Sequence, residues 1–117
     1  MSYIALANIT LTSAQQNVTF ANIPNSVNGV ALRDLVLVVN GGVSQNSYCG
    51  IQFNGDTASN YTFVQALHET GTTTSYSGSD TWIPQRYTAT SNSLSIYQIM
   101  DYSATDKHKT VLVRNNR

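Results

Sequence analysis

Charge is what this sequence has least of. Six Lys and Arg cancel six Asp and Glu, and together they make up only 10% of 117 residues. An average soluble domain carries about 25%. A neutral chain has no global positive field to draw in nucleic acid. It also has no polybasic run to hold an anionic membrane surface. Long hydrophobic runs are missing too: the longest, Leu35 to Val39, is far too short to span a bilayer. A single cysteine, Cys49, excludes an internal disulfide. Two prolines and two lysines exclude a proline-rich linker and a coiled coil. Met1-Ser2-Tyr3-Ile4 lacks a cationic leader and Asn8 breaks the apolar stretch after it, so no secretory signal is expected. The expectation is synthesis in a reducing cytosol without export.

What the chain has instead is uncharged polarity. Ser, Thr, Asn and Gln number 46, more than a third of the residues. Val, Ile and Leu with eleven aromatics still supply a core, which argues against disorder. Val, Ile and Thr together number 31, a bias toward strands. Apolar residues recur with period two, and no window keeps a helical repeat for three turns.

Strands are predicted over Ile4–Leu11, Asn17–Ala21, Asp34–Asn40, Tyr48–Asn54, Asn60–Glu69, Ser93–Tyr102 and Thr110–Val113. In the first, the apolar face switches near Asn8, which suggests a bulge. The unbroken apolar centre Leu35-Val36-Leu37-Val38-Val39 predicts a central strand covered on both faces. Asn60–Glu69 alternates most clearly, with Tyr61, Phe63, Gln65 and Leu67 on one face. Asn-Gly pairs at Asn28-Gly29, Asn40-Gly41 and Asn54-Gly55 tolerate the positive φ of tight turns. Gly71–Asp80 holds only Gly, Thr, Ser and Tyr before its closing Asp, and reads as a long polar loop. The expected fold is all-β: a single-domain antiparallel β-sandwich, jelly-roll-like, over residues 1–117.

Catalytic chemistry has little to stand on. There is no G-x-S-x-G, no phosphate loop and no dinucleotide fingerprint. Cys49 lies on an apolar strand face and reads as a buried, inert thiol. His68 and His108 lack the ligand spacing of a zinc site. Asp56, Ser59 and Asn60 offer oxygens to calcium, but match no EF-hand, and Asx-turn hydrogen bonding is the plainer reading of Asp56 and Asn60. The six carboxylates form no obvious acid/base pair. No enzyme, cofactor or metal is expected.

Two features suggest contact with another molecule. Tyr76, Trp82 and Tyr87 bracket the polar stretch. They suit subunit-interface anchors or a core, and beside Asp80 they also suit stacking on a sugar. Charge is also uneven: residues 101–117 are net +2 and the rest net −2. Lys107, Lys109, Arg114 and Arg117 are candidates for contact with an acidic partner, against the plainer reading of a solvated end.

The run Phe53-Asn54-Gly55-Asp56-Thr57-Ala58-Ser59-Asn60-Tyr61 resembles an F-N-G-D-x-x-x-N-Y motif of small β-rich structural proteins of tailed bacteriophages. Asp101-Tyr102 followed by Lys107-His108-Lys109-Thr110 is similar to a second segment of that family. The resemblance runs through most of the chain. It implies a non-enzymatic virion protein with no catalytic residues to carry over. Relatives continue into further strands, so a neighbouring subunit completing the sheet is one expectation. The expected role is a capsid decoration (cement) protein, a homotrimer on the capsid exterior that binds the major capsid protein or another virion protein. The alternative is a tail-fibre or receptor-binding module for host glycan, with Trp82 lining a groove with Asp80. Neither reading involves nucleic acid or membrane.

Overall fold

The computed structural model describes residues 3–89 and 91–116. Among them there is no helix; the protein is all-β, built of antiparallel sheets, as the period-two pattern predicts. The strands in chain order are β1 (Ser26–Val27), β2 (Val30–Ala31), β3 (Leu35–Gly41), β4 (Ser47–Ile51), β5 (Tyr61–Glu69), β6 (Thr72–Asp80), β7 (Ile83–Tyr87), β8 (Ser93–Met100) and β9 (Thr110–Asn116). β1 pairs with β2, β4 with β7 and β5 with β6, and a three-stranded sheet has the order β3-β8-β9. The backbone gathers into two compact units: residues up to Leu35 with Gln98–Val111, and Val36–Tyr97 with Leu112 onward.

In the second unit the longest pairing is β5 with β6, from Tyr61↔Asp80 to Glu69↔Thr72. The polar loop expected over 71–80 is therefore a strand. Thr is β-branched and fits a pleated ladder, and a full-length partner pairs the backbone groups along one edge of the Ser/Thr run. The two strands join through Thr70 and Gly71 alone, at φ 46° and 82°. Positive φ at both central residues is what a two-residue type I′ hairpin turn requires. The alternation read in Asn60–Glu69 is observed, with Tyr61, Phe63, Gln65 and Leu67 half-buried and Val64 exposed.

β3 departs from expectation. It lies at the edge of its sheet, and only Leu35, Leu37, Val39 and Gly41 are half-buried. Val36 and Val38 face solvent. A continuous apolar run does not by itself say whether one face or two are covered. β8 is also inverted relative to its apolar pattern. Ser93, Ser95, Tyr97 and Ile99 are its buried face, while Leu94 and Ile96 are exposed. Hydroxyl bonding explains part of this. The Tyr87 hydroxyl lies 2.7 Å from Ser95 Oγ, which donates to Asn115 Oδ1 at 3.1 Å, and Asn115 Nδ2 donates to the Arg86 carbonyl at 2.9 Å. The chain of bonds ties β7, β8 and β9 together. Burial first, then neighbouring Tyr87, pushes the Tyr97 phenol well above its ordinary range, so it stays neutral.

In the first unit, residues 3–25 contain no strand, which corrects the strands expected over Ile4–Leu11 and Asn17–Ala21. Their apolar residues Ile4, Ile9, Leu11 and Val18 are exposed. Alternation makes a strand only where a partner ladder is available. The β1–β2 hairpin instead turns at Asn28-Gly29, φ 50° and 76°. Asn54-Gly55 turns likewise, at φ 54° and 70°, whereas Asn40-Gly41 continues β3.

Thr70 is β-branched in a left-handed conformation, which strains it. Thr70→Asn is expected to raise stability by about 0.5–1 kcal/mol in urea unfolding, since Asn tolerates that turn position.

Candidate functional site

The second unit carries a cleft built around the crossing from β6 to β7. Asp80 Oδ1 accepts hydrogen bonds from the Thr81 backbone N–H at 2.7 Å and from the Thr81 hydroxyl at 3.4 Å. From the other side Gln52 Nε2 donates to the Thr81 carbonyl at 2.8 Å. The next residue, Trp82, is thereby held against β4. It lies on Gly50 so closely that a Cβ there would fall 2.6 Å from the indole ring. Only glycine leaves room for the ring at that point.

Pairing registers supply the walls. On β4 and β7, Tyr48↔Arg86 and Gly50↔Pro84 share one face, opposite Cys49↔Gln85 and Ile51↔Ile83. On β5 and β6, Gln65↔Tyr76 and Phe63↔Gly78 share the half-buried face with Tyr61↔Asp80. These two faces enclose an open cleft of about 320 Å³, lined by Tyr48, Phe63, Gln65, Leu67, Tyr76, Asp80, Trp82, Pro84 and Arg86. Tyr48 and Tyr76 are each about half exposed, at 54% and 51%. Asp80 is the one carboxylate among the lining residues, and Arg86 reaches Glu69 at 3.9 Å in a solvent-exposed ion pair. The lining thus combines aromatic area with one amide, one carboxylate and one guanidinium.

The loop before β5 explains the F-N-G-D-x-x-x-N-Y run in structural terms. The Asp56 N–H donates to the Phe53 carbonyl at 2.9 Å across the Asn54-Gly55 turn. Asp56 Oδ1 accepts from the Ala58 N–H at 3.0 Å, and both Asp56 oxygens accept from Asn60 Nδ2, at 3.1 and 3.0 Å. The Tyr61 hydroxyl accepts from the Phe53 N–H at 3.0 Å and donates to the Asp56 carbonyl at 3.1 Å. The motif thus closes on itself, and Asp56 and Asn60 make the Asx-type bonds expected of them. Burial pushes the Cys49 thiol up, which disfavours the reactive thiolate.

Of the residues singled out in the sequence, Tyr76 and Trp82 meet in the cleft, with Asp80 beside them. Tyr87 does not join them. It is 3% exposed, its hydroxyl engaged by Ser95, and it presents nothing to an outside partner. Arg114 is exposed on β9, and Arg117 lies outside the described residues. Lys107 and Lys109 are engaged within the first unit. Lys107 Nζ lies 3.2 Å from Asp101 Oδ2, and Arg33 Nε lies 3.0 Å from Oδ1 of the same carboxylate. Lys109 Nζ donates to the Asp101 carbonyl at 3.1 Å and to the Ala104 carbonyl. Asp101 itself has φ 48°, and its N–H donates to Asp34 Oδ1 at 3.0 Å. Two of the four basic residues expected to meet an acidic partner, Lys107 and Lys109, thus bond to their own turn.

Tyr48, Phe63 and Gln65 were not singled out in the sequence. The signal for Gln65 is its register opposite Tyr76, which is hidden while 71–80 reads as a loop. For Tyr48 the signal is the alternation that sets it opposite in face to Cys49.

No family model, curated protein or solved structure matches this chain.

Two outcomes follow from this geometry. Gly50→Ala is expected to displace Trp82, shift its fluorescence and cost about 1–3 kcal/mol in chemical denaturation. The hydrogen bonds from Lys107 and Arg33 hold the Asp101 carboxyl below its ordinary value. A depressed pKa means the cluster's contribution is present above the unfolded-state pKa and lost as pH falls through the folded one. An NMR titration should find Asp101 protonating at lower pH than the free side chain, with the Lys107 and Arg33 signals moving in step.

Proposed function

We propose that this chain is a non-enzymatic structural component of a tailed-bacteriophage virion, acting as a capsid decoration protein. In this reading it is made in the host cytoplasm and binds the capsid exterior as a homotrimer. The observation that carries it is a set of exposed apolar side chains along the three strands of one sheet. In the second unit Val36 and Val38 on β3, Leu94 and Ile96 on β8 and Leu112 on β9 are exposed. They alternate with the half-buried or buried positions of the same strands.

Surface area supports the same reading. The chain exposes 8966 Å². Two compact bodies the size of the two units, wholly apart, would expose about 7,500 Å² together. The excess of about 1,500 Å² exceeds the roughly 800 Å² that one partner buries in a standard protein–protein interface. Among the described residues, the buried hydrophobic ones are Tyr87, Tyr97 and Ile99. A surface this poor in charge meets other protein without desolvating many ions. A protein that binds only the assembled shell stabilises it by mass action. The interface in this proposal is these apolar side chains with Arg114 beside them, in place of the lysines occupied by Asp101.

The alternative, a receptor-binding module of the tail, has one specific observation in its favour: Trp82 and Asp80 line one cleft. Shells purified with and without the protein separate the two. Decoration predicts rupture at higher temperature when the protein is present, with loss of binding for Leu94→Glu. Equal rupture temperatures reject it, and a few dozen copies per particle rather than hundreds favour the tail.

A further inference from the structure

The geometry points to a saccharide site: the cleft of the second unit binds an uncharged pyranose of an oligosaccharide. Trp82 and Tyr76 are its stacking platforms, and Asp80 and Gln65 make its polar contacts. This inference deepens the alternative reading by naming the ligand class of its cleft, and it depends on the second unit alone. A failed shell-rupture experiment leaves it standing, and its own failure leaves the decoration reading untouched.

Ligand class follows from what the walls can recognise. A pyranose has apolar C–H faces and a rim of hydroxyls that both donate and accept. It therefore needs flat aromatic surface beside paired acceptors and donors. Tyr48 and Tyr76 leave half of their surface to solvent, and Trp82 is braced from behind by Gly50. An aromatic fixed in this way loses little conformational freedom when a ligand stacks on it. A carboxylate accepts about four hydrogen bonds. Thr81 supplies two to Asp80, so acceptor capacity remains for a sugar diol. Gln65, directly across the ladder from Tyr76, adds an amide that donates and accepts. Arg86 in the same lining is paired with Glu69, which leaves the Asp80 carboxylate to oppose phosphate, sulfate or uronate and to select for an uncharged sugar. At about 320 Å³ the cleft lies at the small end of ligand sites, enough for roughly one or two rings.

Trp82 is the sole tryptophan, so its emission reports on the site directly. The full chain is titrated with linear glucan, mannan, galactan and chitin hexasaccharides, and with a polygalacturonate oligomer as the acidic control. The expected result is a saturable emission change and protection from acrylamide quenching by at least one neutral hexasaccharide. Affinity should fall about tenfold for Tyr76→Ala, the loss of one stacking platform. Asp80→Asn keeps the acceptor for the Thr81 N–H and should weaken binding by a similar or larger factor. Circular dichroism of both variants checks the fold. No emission change with any neutral sugar overturns the proposal. So does a change undiminished in either folded variant, or a response to the acidic oligomer alone.

Discussion

The antiparallel pairing of β5 with β6 is the constraint on which the second unit's chemistry rests. Its register is set by a two-residue turn, and a shift of one residue would send every side chain to the opposite face. With the observed register, Gln65 stands opposite Tyr76 and Asp80 opposite Tyr61. Asp80 then ends the strand where its carboxylate can cap Thr81 and fix the entry to Trp82. A stretch with hardly any apolar side chain is held as a strand by backbone bonding. Its hydroxyls remain on the surface.

Scarcity of charge shapes the rest of the protein. Polar groups are satisfied mostly by neutral partners: Tyr87 with Ser95, Ser95 with Asn115, Tyr61 with the backbone on both sides of its loop. Where charges do cluster, around Asp101, they hold a turn at positive φ and spend two lysines on it. An overall balance of zero therefore hides two regimes: a three-stranded sheet whose exposed apolar residues are nearly free of ions, and one turn dense with them. The first regime suits contact with neutral surfaces, because little ion hydration has to be given up.

Much of the strand content was legible in the sequence, and so was one wall of the site. The alternation of Tyr61, Phe63, Gln65 and Leu67 is strong enough to read from one segment. So are the turns at Asn28-Gly29 and Asn54-Gly55, because those residues tolerate the conformation, although the same pair at Asn40-Gly41 continues β3. Ile4–Leu11 and Asn17–Ala21 alternate too, yet form no strand, since a ladder needs a partner that alternation does not name. The Ser/Thr stretch 72–80 fails in the opposite direction: low hydrophobicity suggested a loop, and a partner of equal length made it a strand. Trp82 with Asp80 was visible as a candidate pair. Tyr48, which completes the aromatic lining, was not.

By itself, then, the sequence determined the class of fold, the turns at Asn28-Gly29 and Asn54-Gly55 and the Asx-type bonding of Asp56 and Asn60. Those depend on backbone preference and on groups only a few residues apart. Tertiary structure alone decided which aromatics are buried and which are available. Tyr87 and Tyr76 look equivalent along the chain. One is enclosed and bonded to Ser95, while the other stands open beside Trp82. The reason is physical: burial is set by what packs against a side chain across sheets, and such contacts join residues far apart in sequence.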